Sequence, residues 1–104
     1  MTARLYVEAI ALAPEGDRPF VVRGQTAKAL IALVNSGACG VTALEVATWA
    51  FRFAAYCHDL RNRYGLAIRT EREEHPGGWH GRHVLETPVT IRFVADPEQE
   101  AVAA

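Results

Sequence analysis

The chain has 104 residues, half of them apolar and 22% charged, with a formal net charge of −1. This length supports one domain that buries roughly two-thirds of its chain surface without disulfides, and the ordinary charged fraction excludes wholesale disorder. No apolar run approaches the roughly 20 residues of a membrane span. Glu8 falls where a secretory segment needs apolar residues, so no signal peptide is expected. Two cysteines, Cys39 and Cys57, make no disulfide framework and fit a reducing cytoplasm.

In chain order, residues 5–12 are compatible with strand and with helix. Pro14 to Pro19 is a turn cluster, and Phe20-Val21-Val22-Arg23 reads as a short strand ending at Gly24. Ala27, Leu30, Ile31 and Val34 then follow i, i+3, i+4, i+7, an amphipathic helix stopped by Asn35-Ser36-Gly37. Thr42-Ala43-Leu44-Glu45 matches a capping box, with Val41 and Val46 in the staple positions, so a helix is expected to start at Thr42. Val46, Ala50, Phe53, Cys57, Leu60 and Tyr64 continue one helical stripe to Gly65, giving a helix over 42–64; Thr48 offers a second cap at which it breaks.

Beyond Gly65, Leu66, Ile68 and Thr70 alternate with Ala67, Arg69 and Glu71, the signature of a half-buried strand. The segment His75 to Gly81 reads as a loop, and Arg82 to Thr87 as a returning strand, so 66–87 is a hairpin with a long tip. After Pro88, Val89, Ile91 and Phe93 alternate in a last strand before an acidic tail from Asp96.

The net charge conceals an uneven distribution. Residues 1–17 carry net −2 and residues 93–104 net −3, while 18–92 hold ten basic residues against six acidic ones, net +4. Ten of the eleven bases are Arg, whose planar fork suits phosphate and guanine better than Lys does.

A helix, a second helix with a capped start and a β-hairpin, with strands on either side, form the α+β pattern of a winged helix-turn-helix. Residues 24–87 resemble a small winged-helix family of bacterial and phage-derived proteins. The resemblance runs through Ala29 to Val34, Gly40 to Glu45, Arg52 to Arg61, and the hairpin from Gly65-Leu66-Ala67-Ile68 to Gly78 through His83. It implies a winged-helix core over 24–87 and a helix break near Ala47-Thr48, within the single domain 1–104 that the length supports. Residues 1–23 form a strand-rich extension and residues 88–104 a strand with an acidic tail. It also implies duplex DNA as partner, and a cytoplasmic regulator of phage or prophage type.

On that footing, the face of helix 49–64 opposite its apolar stripe presents Phe51, Arg52, Ala55, His58, Asp59 and Asn62. Arg52, His58 and Asn62 are the candidates for base edges, Thr48 for the helix start, and Lys28, Arg63, Arg69 and Arg82 for phosphates. Asp59 opposes phosphate. At the hairpin tip, Trp79 is expected to fold back over the strands, with His75, His80 and His83 solvated; the His80-x-x-His83 spacing matches no zinc pattern, so no metal is expected. Cys57 reads as core and Cys39 as a turn residue. The Gly-rich segments match neither the phosphate-loop nor the dinucleotide pattern, so no cofactor, catalytic residue or small-molecule ligand is expected. The competing reading is an assembly adaptor on the same scaffold, with Phe51 and Trp79 at its interface and the flanking strands 5–12 and 88–94 pairing with each other or joining two copies.

Overall fold

A computed structural model describes residues 4–46 and 52–96. Strand β1 (Tyr6–Ala11) lies at the centre of a three-stranded antiparallel sheet, between β2 (Arg18–Arg23) and β6 (Val89–Ala95). The segment that was compatible with either structure is therefore strand, and the two flanks pair with each other within one chain. Alternation decides the faces: Val7, Ala9 and Ala11 point into the core while Glu8 faces solvent. The register with β6 shifts between Glu8 and Ala9, so that Glu8 opposes Phe93 and Ala9 opposes Ile91. Pro19 is tolerated because β2 is an edge strand.

Helix α1 (Gly24–Ser36) packs on the inner face of this sheet and ends at Gly37, whose N–H bonds to Leu33 O. Its buried residues are Ala27, Ala29, Leu30 and Leu33, with Ile31 and Val34 half-buried, so its apolar face is broader than a single stripe. The cause is that α1 meets several elements at once: the sheet on one side, and α2 and the hairpin on the other.

The expected helix start at Thr42 is not formed. Val41–Thr42 is instead a short strand, β3, paired with β5 (Gly78–Leu85) at His83 and Arg82, and residues 43–46 form a turn. The capping-box bonds themselves are present: Thr42 N–H donates to Glu45 Oε1 at 2.8 Å, and Glu45 N–H to Thr42 Oγ1 at 3.2 Å. Both staple residues, Val41 and Val46, are buried. Reciprocal bonds over four residues are local, however, and the ladder to β5 holds Thr42 extended. Helix α2 runs from Phe53 to Tyr64 and ends at Gly65 in the left-handed conformation. The expected break at Thr48 lies outside the described residues.

The hairpin extends further than its alternation indicated. Strand β4 (Ile68–His75) and β5 (Gly78–Leu85) pair through to His75 and Gly78, leaving a two-residue turn at Pro76-Gly77 in place of a long loop. Pro76 at the first central position and Gly77 at φ +95° at the second supply type II turn chemistry, which closes the loop immediately. One core joins both sheets and both helices, centred on the fully buried Phe53, Leu30, Leu33 and Leu60.

Candidate nucleic-acid interface

Helix α2 is held from beneath by its apolar face. Phe53, Cys57 and Leu60 are completely buried, and the Phe53 ring meets the His83 ring edge-on at 5.5 Å. Burial pushes the Cys57 thiol up to about 11. Arg61 locks the helix to the hairpin: Nε donates to Ile68 O at 2.9 Å and Nη2 to Thr70 Oγ1 at 2.9 Å, while Thr70 Oγ1 lies 3.1 Å from His83 Nδ1. Burial, with the Arg61 guanidinium beside it, lowers the His83 pKa below its ordinary value. His83 is thus a buried, neutral-favouring ring and not a solvated one.

Sequence spacing gave Arg61 no role. The signal was its position four residues after Cys57, on the border of the buried stripe.

The opposite face of α2 is open. Arg52, Ala54, His58, Asn62 and Arg63 are exposed, whereas Ala55 and Asp59 are half-buried. Asn62 Nδ2 donates to the His58 carbonyl at 3.0 Å and lies 3.0 Å from His58 Nε2, so the two side chains form one polar unit. Beyond them, Asn62 and Arg63 border a cleft of about 730 Å³ between the end of α2 and the β1–β2 turn. There Arg18 Nη2 donates to Tyr64 O, and the Phe20 and Tyr64 rings stand 5.6 Å apart. Lys28 is exposed on α1. Thr48 and Phe51 lie outside the described residues.

The hairpin presents a different electrostatic picture. Arg82 sits along β5 and not at the tip: its Nε donates to Glu73 Oε2 at 2.7 Å, and its Nη1 to Cys39 O at 3.1 Å and Glu45 Oε1 at 3.3 Å. This guanidinium therefore ties the hairpin to the 37–45 segment. Both carboxyls respond. The hydrogen bond from the Thr42 N–H, reinforced by Arg82, lowers the Glu45 pKa, while Arg82 and His80 lower that of Glu73.

Arg69 bridges Glu71 and Glu86, the latter at 3.0 Å. At the tip, the Arg72 guanidinium lies 4.7 Å from the Trp79 ring centroid, and Trp79 is 55% exposed. The indole is covered on one side by that cation rather than folded onto apolar surface. His75 and His80 stack at 5.1 Å, and His80 Nε2 lies 2.8 Å from Glu73 Oε1. Among the described residues no three His, Cys, Asp or Glu side chains group as metal ligands.

Two packed helices, the second exposing a polar row beside a β-hairpin, define a winged helix-turn-helix protein. The match to the family described as "Winged helix domain" spans residues 19–95, and the chain belongs to that family, whose members generally bind DNA. The matched segment takes in β2 and β6 as well as the helices and hairpin. Compared with curated proteins and with solved structures, the chain matches none of either. No helix among the described residues is long and apolar enough to cross a membrane.

Proposed function

We propose that this chain binds duplex DNA through the exposed face of α2, as a regulator. Arg52 reads a base edge from the start of the helix, the His58–Asn62 pair lies beside it, and Arg63 and Lys28 take phosphates. The observation that carries this reading is the exposed row Arg52, His58 and Asn62 on a helix whose other face is fixed by Phe53 and Arg61. A reading helix needs such rigidity, because base discrimination depends on bidentate geometry. Arg69 and Arg82 have no part in the proposal, since carboxylates already hold their guanidiniums.

The test is fluorescence anisotropy of the full chain with pooled genomic fragments across a salt series. Micromolar or tighter binding that falls steeply with salt is expected. Arg52→Ala should weaken binding to a selected site by about 1–3 kcal/mol while leaving non-specific binding nearly unchanged. No binding at low salt overturns the proposal. One observation favours a second reading, an assembly adaptor: Phe93 and Val94 are exposed on β6, which is an edge strand among the described residues. A salt-insensitive dimer without DNA affinity would support it.

A further inference from the structure

Three arginines without an ion pair among the described residues line one small cavity. Arg4 precedes β1, Arg23 ends β2, and Arg63 comes from the last turn of α2. With Thr26, Asp59 and Tyr64 they line a polar pocket of about 200 Å³. Among the described residues, none of the three lies within 4.0 Å of a carboxylate, in contrast to Arg69, Arg72 and Arg82, each of which is bridged.

Packing, rather than an acid, positions two of them. Arg4 Nη2 lies 2.5 Å from where a Cβ on Gly24 would stand, so the absence of a side chain at Gly24, itself at φ +70°, admits the guanidinium. The Arg23 guanidinium rests over the Tyr6 ring, 5.1 Å from its centroid. The first turn of α1, which opens beside Arg23, holds no acidic residue that neutralises the cluster. Among the described residues Asp59 is the one carboxylate lining the cavity, so three positive charges meet one negative charge there.

We infer that this pocket binds a phosphate group. Like-charged guanidiniums brought together without acids repel one another, and a tetrahedral oxyanion relieves that repulsion while accepting their planar N–H forks. The Thr26 hydroxyl adds a neutral donor, and the cavity holds such an anion with its first waters. Two sources carry this chemistry: a backbone phosphodiester of bound DNA, which rests on the reading above because Arg63 adjoins Asn62 of the exposed row, and a free phosphate.

The full chain is titrated with inorganic phosphate against matched chloride, following the arginine Nε–H signals by NMR, and separately with a mixed-sequence duplex across a salt series. In the first arm, phosphate is expected to shift the signals of Arg4, Arg23 and Arg63 where chloride does not. Arg63→Gln should weaken that response about tenfold, the loss of a charge-assisted hydrogen bond, and Asp59→Asn should strengthen it. Arg63 is exposed, so its replacement leaves the fold intact; Asp59→Asn guards against a merely structural loss by predicting a gain.

In the duplex arm, a backbone source predicts that Arg63→Gln and Arg4→Gln each lower the salt slope by about 1. A phosphate response with no duplex binding supports the pocket, assigns it to a free phosphate, and overturns the DNA reading alone. A changed slope without a free-phosphate response supports the backbone source. Duplex binding with unchanged slopes and no phosphate response overturns the pocket while leaving the DNA reading standing.

Discussion

Acidification provides a sharp test of how α2 is seated, through His83. The ring is only 8% exposed, between Phe53 and Thr70, and burial together with Arg61 lowers its pKa in the folded chain. A lowered histidine pKa means that the unfolded chain takes up the proton first. Stability is therefore complete above about pH 6.5, the unfolded value, and declines as pH falls until the folded value is passed. A single proton limits the loss between pH 7.5 and 5.5 to at most about 1.4 kcal/mol. In a domain of this size that bound corresponds to a melting temperature lower by about 6–11 °C. Glu45 and Glu73 do not intrude, because their lowered pKa values make their contributions disappear only on acidification below about pH 4.5. The assay is urea denaturation at pH 7.5, 6.5 and 5.5 for the wild type and His83→Asn, with an NMR titration of the His83 ring. The variant is expected to be less stable but flatter across this range. A ring that titrates above pH 6.5, or parallel curves for the two proteins, would refute the reasoning.

Three further outcomes follow from the packing. Phe53→Ala removes a fully buried ring from the start of α2 and should cost about 3–5 kcal/mol, a large share of the roughly 5–15 kcal/mol of an ordinary domain; a urea-measured loss below about 1 kcal/mol would show that this ring does not seat the helix. Gly40→Ala places a Cβ 2.7 Å from both His83 O and Val84 Cγ2 at φ +71°, so destabilisation by more than about 1 kcal/mol is expected, and an unchanged melting temperature contradicts it. A thiol reagent at neutral pH should modify the native chain at exposed Cys39 and spare Cys57, whose thiol is buried and pushed up to about 11; equal rates by mass spectrometry would count against that packing.

Periodicity made much of the fold legible: α1, β2 and β6 fall where apolar spacing places them, and the hairpin is where it was expected though its strands run closer to the tip. The Thr42–Glu45 segment shows the limit of local signals. Its capping-box bonds exist, yet they close a turn beside a strand, because the β3–β5 ladder takes Thr42 and Arg82 draws on Glu45. The hairpin tip shows the same limit from the other side. Pro76-Gly77 is turn chemistry sufficient for two residues, but the many glycines around it suggested a longer loop. Arg4 and Arg23 are far from Arg63 in sequence, and only the pairing of β1 with β2 and the placement of α2 bring them to one cavity.

The same through-space pairing relocates the positive charge. The +4 of residues 18–92 includes the hairpin, yet residues 66–87 hold three arginines against four glutamates and are net −1. Those glutamates hold Arg69 and Arg82 in place, and Arg72 is turned onto Trp79. The hairpin is thus braced by its own ion pairs and contributes shape rather than net positive charge, and surface pairs of this kind add little stability of their own. Outside the hairpin, residues 18–92 are net +5, and two of those bases, Arg23 and Arg63, meet Arg4 at the pocket beside Asn62 of the exposed row. On the proposed DNA reading, a duplex is attracted toward the end of α2 more than toward the wing. Reversing one wing pair, by exchanging Arg69 and Glu86, should therefore leave the salt slope of binding unchanged, whereas neutralising Arg63 should lower it by about 1. If the exchange alters the slope and Arg63→Gln does not, the charge that attracts DNA resides on the wing after all.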